Sequence, residues 1–215
     1  MGKLNNAFDL KIPAVSMHVE RLRAPSTDIV NARDSARALG FILAYEMLQY
    51  APTRESRIIT RMQEISVAEV PAALPYVVPI LRAGKYLAEG ALGYLIGAPT
   101  GDIGAARSHG QLEDLTADVL YVGLPKDLKG AQVHIYDIML ASGVSIEGAL
   151  NVVKERNPGP ISLGVVIATK PGIERVHKLH PEVPIFYCAL DDRLNDIGYI
   201  LPGLGDAGNI VSGTL

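Results

Sequence analysis

The chain of 215 residues has little cysteine and no long apolar run. Its single cysteine excludes an internal disulfide bond. That residue, Cys188, lies in the apolar run 183–190, so we expect a buried structural thiol without a catalytic role. No run approaches the roughly 18 residues of a membrane span, and the first ten residues lack a signal-peptide pattern. We therefore expect a cytoplasmic protein with no membrane partner.

The chain also lacks a large excess of charge of either sign. Lysine and arginine total 20 and the acidic residues 23, a net charge of −3 that disfavours a nucleic-acid partner. His177 and His180 are three residues apart without a neighbouring carboxylate, and the other histidines stand alone, so we predict no metal site formed by the protein. The length suits a single domain, 1–215, with a sizeable core.

Hydrophobic periodicity predicts an α/β protein. Strands are expected at 76–81, 119–122, 133–137, 162–168 and 183–190, and helices at 33–48, 146–156 and 172–179. The alternation of the last three strands with helices predicts a parallel sheet flanked by helices on both faces. The poorly patterned segment 57–70 is interpreted as an extended arm or hairpin, and about 101–118 as a flexible loop.

Glycine is concentrated near the C-terminus. Gly203, Gly205 and Gly208 have the spacing of a dinucleotide-binding turn, but only seven residues follow. Such a turn needs a helix and then a second strand, and we expect neither to form. The loop is better suited to bring main-chain groups close to a small planar ligand, because no Cβ atoms intervene. A structural Pro-Gly turn is the alternative.

A second candidate loop, 137–145, follows a predicted strand. Ser142, Gly143 and Ser145 offer free N–H groups and hydroxyls at the expected start of a helix, a combination that suits a phosphate. Asp137 at the strand end can hold ribose hydroxyls or a metal-bound water. The spacing alone fits equally well a turn in which Ser145 merely caps the helix.

Both loops resemble those of uracil phosphoribosyltransferases. Residues 198–209 read G-Y-I-L-P-G-L-G-D-A-G-N, similar to the family's G-Y-I-[VIL]-P-G-L-G-D-A-G-D, and 137–145 read D-I-M-L-A-S-G-V-S, similar to D-P-M-L-A-T-G-G-S. Residues 79–84 match the family's P-I-L-R-A-G turn. The resemblance covers about 21–213 and implies a type I phosphoribosyltransferase fold with a C-terminal uracil-binding loop.

The resemblance also implies an activity: transfer of ribose 5-phosphate from 5-phosphoribosyl-1-diphosphate to uracil, giving UMP and pyrophosphate, with Mg²⁺ bound mainly through the diphosphate. It assigns catalysis to Asp137, Arg107 and Asp206, and uracil binding to Tyr199, Ile200, Gly205, Asp206 and Ala207. Binding of the diphosphate substrate falls to Arg82, Arg107, Asp137, Ile138, Met139, Leu140, Ala141, Ser142, Gly143, Val144, Ser145 and Asp206. A homodimer or larger homo-oligomer, paired through the arm, is implied as well.

The arginines differ in how well the sequence alone supports them. Arg82 ends an apolar run that we expect to be buried, where an unpaired charge would be costly. Arg107, between an alanine and a serine, suits a solvated loop position equally well.

Some positions depart from the family pattern. Val144 replaces a glycine, and we expect it to resist positive φ and to crowd the phosphate. Asn209 and Ile210 replace an acidic–basic pair. These departures keep open a non-catalytic nucleotide-binding paralogue. An RNA-binding regulator of the same fold is a further alternative, although no basic face is evident.

Overall fold

The structure of the protein, a computed structural model, describes residues 6–107 and 116–214. A seven-stranded sheet has the order β1-β9-β8-β7-β4-β5-β6. The strands are β1 Ala7–Asp9, β2 Thr53–Ile59, β3 Ile65–Pro71, β4 Tyr76–Leu81, β5 Ile103–Arg107, β6 Ala117–Val122, β7 Val133–Leu140, β8 Ile161–Thr169, β9 Ile185–Asp191, β10 Arg193–Leu194 and β11 Ile200–Leu201. The helices are α1 Pro13–Arg23, α2 Ile29–Leu48, α3 Lys85–Tyr94, α4 Val144–Lys154, α5 Lys170–Leu179 and α6 Ala207–Ser212.

The predicted α/β class is confirmed, and every predicted strand and helix is present. Neighbouring strands of the large sheet pair parallel except β5 and β6, which pair antiparallel, so the sheet is mostly parallel. β8 is buried along its whole length. A strand covered on both faces has no solvent side, which explains its continuous apolar sequence.

Helices cover both faces of the sheet. One core contains Val19 of α1, Leu39 of α2 and Leu87 of α3. The other contains Leu150 of α4 and Ile173 of α5. The carboxyl ends of the central strands β4 and β7 therefore open between two helical layers, the position at which α/β sheets bind ligands.

The segment expected to be an arm or hairpin is a hairpin, and the segment expected to be a flexible loop contains a strand. The arm predicted at 57–70 lies within the hairpin β2–β3, which forms a sheet of its own. The bounds predicted for the flexible loop, 101–118, include strand residues, because 103–107 form β5 and pair with 117–122. Residues 108–115 lie outside the described residues.

Three helices were not expected. α1 buries Val15, Val19 and Leu22 at helical spacing, whereas Gly90 and Gly93 weaken the helical signal of α3. The expectation that no helix follows the terminal glycines is wrong. Asp206 accepts a hydrogen bond from the main-chain N–H of Asn209 at 2.9 Å and so caps the six-residue α6.

Neither a membrane span nor a reactive thiol is evident in 6–107 and 116–214. No helix there combines the length and the apolar character that a membrane crossing requires. Cys188 is free and buried, as expected, and burial raises the pKa of its thiol. A thiol in this environment stays protonated and packs as a small apolar side chain.

Helices α2 and α3 cross with their main chains almost in contact. A Cβ atom on Gly40 would lie 1.8 Å from the carbonyl oxygen of Leu87, and one on Gly90 would lie 1.9 Å from that of Arg37. Only glycine fits at either position, because main-chain atoms cannot move aside as a side chain can. On Gly93, one turn further along α3, a Cβ would approach nothing nearer than Phe41 at 3.9 Å.

We predict opposite effects for two alanine substitutions in α3. Gly90→Ala forces the helices apart and should lower the free energy of unfolding by about 1–3 kcal/mol or more. Gly93→Ala gains helix propensity at an exposed site and should raise it by up to about 1 kcal/mol. Urea denaturation of both variants measures the difference. Equal effects would show that the helices do not cross this closely.

Candidate active site

An open pocket of about 200 Å³ lies at the carboxyl edge of the sheet. Its walls come from Ala83 after β4 and from parts of three segments, 137–146, 198–200 and 206–208. The two loops singled out in the sequence therefore face each other across one cavity. This cavity is smaller than the depression near Lys154 at the opposite edge of the sheet.

Gly143 shapes the first loop. It has φ +84° and precedes α4 without a side-chain cap, so main-chain N–H groups of the first helical turn are available to an anion. Ser145 is the second helical residue, which excludes the alternative in which it caps the helix. The positive φ falls on Gly143, so the expectation that Val144 must resist such a conformation is wrong. Val144 starts the helix and lines the pocket.

Thr169, which caps the N-terminus of α5, and residues of α5 itself support this loop. The hydroxyl of Thr169 donates to the carbonyl oxygen of Ala141 at 2.7 Å and accepts from the N–H of Gly172 at 3.1 Å. A Cβ on Gly172 would lie 2.4 Å from the same carbonyl oxygen. Glu147, in the first turn of α4, pairs with Arg175 at 2.5 Å. Its negative charge is thus offset at a helix end that is to receive an anion.

Asp137 is the buried carboxylate of the pocket. Oδ1 accepts the N–H of Ile138 at 2.7 Å, and the N–H of Met139 also donates to this carboxyl group. Burial removes the carboxylate from water and outweighs these two donors, raising its pKa to about 7. Asp137 is therefore a group that gains or loses a proton near neutral pH.

Arg82 follows β4 directly. The apolar run before it is buried, as expected, but Arg82 itself is exposed, so the expectation that its charge is buried is wrong. The reason is its position at the carboxyl edge of the sheet, where the chain leaves the core. One guanidinium nitrogen, Nη2, lies 3.5 Å from Oδ1 of Asn209. Arg82 thus connects the turn after β4 to the terminal loop, next to the pocket-lining residues Ala83 and Gly208.

The terminal loop folds tightly over the pocket. Gly203 has φ +57°, and a Cβ there would lie 2.2 Å from the carbonyl oxygen of Ile200. Gly205 has φ +86° and is exposed. Tyr199, Ile200, Asp206 and Ala207 line the pocket. The glycines permit turns that other residues resist, and these turns bring the four residues to the cavity.

Five predicted residues stand apart from the pocket walls, and the exposed Arg82 is one of them. The side chains of Ile138 and Leu140 are fully buried in the two cores, so only their main chain can meet a ligand. Gly205 belongs to the terminal loop but is not in the wall. Arg107 ends β5 opposite Ala117, and its side chain lies outside the described residues.

The sequence analysis missed residues that hold the terminal loop in place. Arg23 and Asp191 form an ion pair that also contacts Gly203. Arg33 donates from Nε to the carbonyl oxygen of Val211 at 2.9 Å and lies over the ring of Tyr86. A charged residue at the end of an amphipathic helix gives no signal of its distant partner, and recognising α1 would have been the first step.

Comparison with known proteins gives a consistent result across the chain. The family described as uracil phosphoribosyltransferase matches residues 10–214. A uracil phosphoribosyltransferase of Caldanaerobacter subterraneus is 34% identical over 209 residues, covering 97% of this chain and 98% of that protein. One from Thermus thermophilus is 35% identical over 202 residues, covering 94% and 96%.

Solved structures with a similar fold also cover most of the chain. The AQ2163 protein of Aquifex aeolicus has a TM-score of 0.85 at 35% identity and covers 95% of this chain and 97% of its own. An adenine phosphoribosyltransferase of Trypanosoma brucei, 12% identical with a TM-score of 0.56, shares the fold over 88% of this chain and 86% of its own. The chain belongs to the uracil phosphoribosyltransferase family.

Proposed function

We propose that this protein transfers ribose 5-phosphate from 5-phosphoribosyl-1-diphosphate to uracil, forming UMP and pyrophosphate. The observation that carries the proposal is the pocket itself, in which an uncapped helix N-terminus faces a glycine-rich loop across a buried carboxylate. Uracil phosphoribosyltransferases align over nearly its whole length, which supports this activity over that of a non-catalytic paralogue.

The phosphoribosyl group fits the first loop. The 5-phosphate would accept hydrogen bonds from N–H groups at the start of α4 and from the hydroxyls of Ser142 and Ser145, where the helix dipole also favours a negative charge. Asp137, in the strand β7 that precedes this loop, would accept the ribose hydroxyls. The diphosphate would then project toward Arg82, whose charge-assisted hydrogen bonds suit phosphate oxygens.

The base would bind to the terminal loop. Uracil presents an acceptor, a donor and an acceptor along one edge, which main-chain groups of Ile200, Gly205 and Ala207 can match. Cytosine presents a different pattern and would leave polar groups unpaired. Such mispairing discriminates strongly between ligands of similar shape. Tyr199 and Ile200 would form the walls around the ring.

The reaction joins a ring nitrogen of uracil to C1 of the ribose while the bond from C1 to the diphosphate oxygen breaks. The bonding electrons leave with pyrophosphate, and the ring nitrogen loses its proton. Positive charge develops at C1 and negative charge on the leaving group. We assign Arg82 and Arg107 to binding of the leaving group. Asp206, which lines the pocket, is assigned to the phosphoribosyl side.

The carboxylates of the pocket fit a magnesium ion held mainly by the substrate. The described residues contain no cluster of three metal-binding side chains, but Asp137 and Asp206 both line the pocket. Mg²⁺ commonly binds through one or two carboxylates together with substrate phosphates and water. When bound, it supplies positive charge to the departing diphosphate.

Pyrophosphate release tests the proposed function. The protein is incubated with 5-phosphoribosyl-1-diphosphate, Mg²⁺ and, in turn, uracil, cytosine, hypoxanthine and orotate, and the nucleotide product is identified by chromatography. We expect turnover with uracil alone. Binding of UMP without any turnover would instead select the non-catalytic alternative. The cytoplasmic location of the protein stays a prediction from the sequence.

We predict that affinity for 5-phosphoribosyl-1-diphosphate rises with pH through about 7, because the ionised carboxylate of Asp137 accepts ribose hydroxyls more strongly than the protonated acid does. Below that pH the affinity should fall about tenfold per unit from this group. Stability of the unliganded protein should change in the opposite direction. Because the folded-state pKa is raised from 3.8 to about 7, the stability contributed by this group is lost as pH rises through about 7. Titration calorimetry at several pH values measures both wild type and Asp137→Asn. The same pH profile in both would exclude the assignment.

We predict that Arg82→Ala impairs turnover much more than UMP binding, because UMP lacks the diphosphate. Loss of a charge-assisted hydrogen bond should lower kcat/KM for 5-phosphoribosyl-1-diphosphate by roughly tenfold to a hundredfold. Arg21→Ala, at an exposed position on α1, is the control and should leave both unchanged. Equal losses of turnover and UMP affinity in Arg82→Ala would indicate a structural role.

We also propose a dimer or larger homo-oligomer that pairs through the hairpin β2–β3. Its exposed side chains include Ile59, Met62 and Ile65, which are 77%, 83% and 69% exposed. A two-stranded hairpin has little core of its own, and apolar residues at its tip are better stabilised against a second copy. Pairing of identical arms would also satisfy two-fold symmetry.

We predict that light scattering gives at least twice the 23.0 kDa of the chain at micromolar concentration. Ile59→Lys with Ile65→Glu should shift the mass toward that of the monomer, because charges replace the apolar tip. Leu179→Lys, also exposed but on α5, is the matched control. A wild-type protein with the mass of one chain would exclude the oligomer.

A further inference from the structure

A buried ion pair holds the terminal loop from outside the pocket. Arg23, the last residue of α1, donates two hydrogen bonds to the carboxylate of Asp191, at 2.8 Å and 2.6 Å. Their side chains are only 17% and 6% exposed. Asp191 ends β9, so the pair joins a helix end to a strand end, and neither residue is in the pocket wall.

Both partners also bind the main chain of Gly203. Arg23 donates to its carbonyl oxygen at 2.9 Å, and Asp191 accepts from its N–H at 2.8 Å. The peptide groups on both sides of this glycine are thereby fixed in position. Gly203 lies between Ile200 and Gly205, whose main-chain groups are proposed to recognise the base.

We propose that Arg23 and Asp191 are positioning residues for base recognition, which they act on through Gly203. This inference rests on the proposed function of the terminal loop. Arginine suits the role because its planar fork bonds both carboxylate oxygens and reaches the glycine carbonyl as well. A lysine retains the charge but cannot hold the three acceptors in one fixed geometry.

The distribution of contacts separates positioning from general support. The side chains of the pair contact the terminal loop, whereas the side chains of Thr169 and Arg175 lie against the phosphate loop 141–145. A change at Arg23 should therefore affect uracil and spare 5-phosphoribosyl-1-diphosphate. A residue needed only for stability would affect both substrates alike or neither.

The test compares Arg23→Lys with wild type in steady-state kinetics for each substrate. We expect KM for uracil to rise by about tenfold, as for the loss of one charge-assisted hydrogen bond, and KM for 5-phosphoribosyl-1-diphosphate to change by less than about twofold. Hydrogen exchange should become faster in 199–208 and stay unchanged in 137–145. Arg37→Gln, which breaks one ion pair within α2 and one between α2 and α3, is the control that should change neither KM.

A second variant keeps the proposal testable if a lone change prevents folding. Arg23→Met with Asp191→Leu replaces the ion pair by apolar side chains of similar volume, a change that proteins often tolerate. It should fold and show at least the same rise in KM for uracil. Equal changes in both KM values, or unchanged exchange in 199–208, would overturn the proposal. Absence of UMP formation by wild type would instead refute the proposed function, and the exchange measurement would still test the contact.

Discussion

The pocket depends on two glycines in the left-handed region of φ, each fixed by side chains behind it. Gly143 opens the N-terminus of α4, and Gly203 turns the terminal loop toward it. A left-handed glycine is flexible when nothing restrains it, because it loses more conformational entropy than other residues on folding. Thr169 and the Arg23–Asp191 pair supply the restraint. The main-chain groups are thereby placed before a ligand arrives, which lowers the cost of binding.

The buried carboxylate of Asp137, at the same edge of the sheet, is subject to two opposing effects. Its ionised form is disfavoured by burial, yet two main-chain N–H groups already point at it. Ile138 contributes one of these donors, and a proline, which the family pattern has at this position, has no N–H to give. This chain therefore holds the carboxylate by a hydrogen bond that the family pattern lacks. Ligand hydroxyls would add donors to the same group.

Among the described residues, the sequence predicted five strands of the large sheet, three helices and the two loops, because each of these is encoded locally. Apolar runs mark the strands, and glycine spacing marks the loops. Contacts between distant residues were not predictable in this way. The pairing of Arg23 with Asp191 spans 168 positions, and the exposure of Arg82 depends on where β4 leaves the core. α3 was missed because Gly90 and Gly93 weaken the helical signal, and Gly90 is required by the close crossing with α2.

The structure also gives physical reasons for the departures from the family pattern at the end of the chain. Ile210, which replaces a basic residue, packs against the core that contains α2. Asn209, which replaces an acidic one, places its amide oxygen 3.5 Å from the guanidinium of Arg82. An aspartate here would offset that charge, whereas a neutral amide orients the guanidinium and leaves its charge intact. In the proposed assignment, the diphosphate would compete with a nearby carboxylate for Arg82, so an asparagine at 209 would leave the arginine more attractive to the substrate.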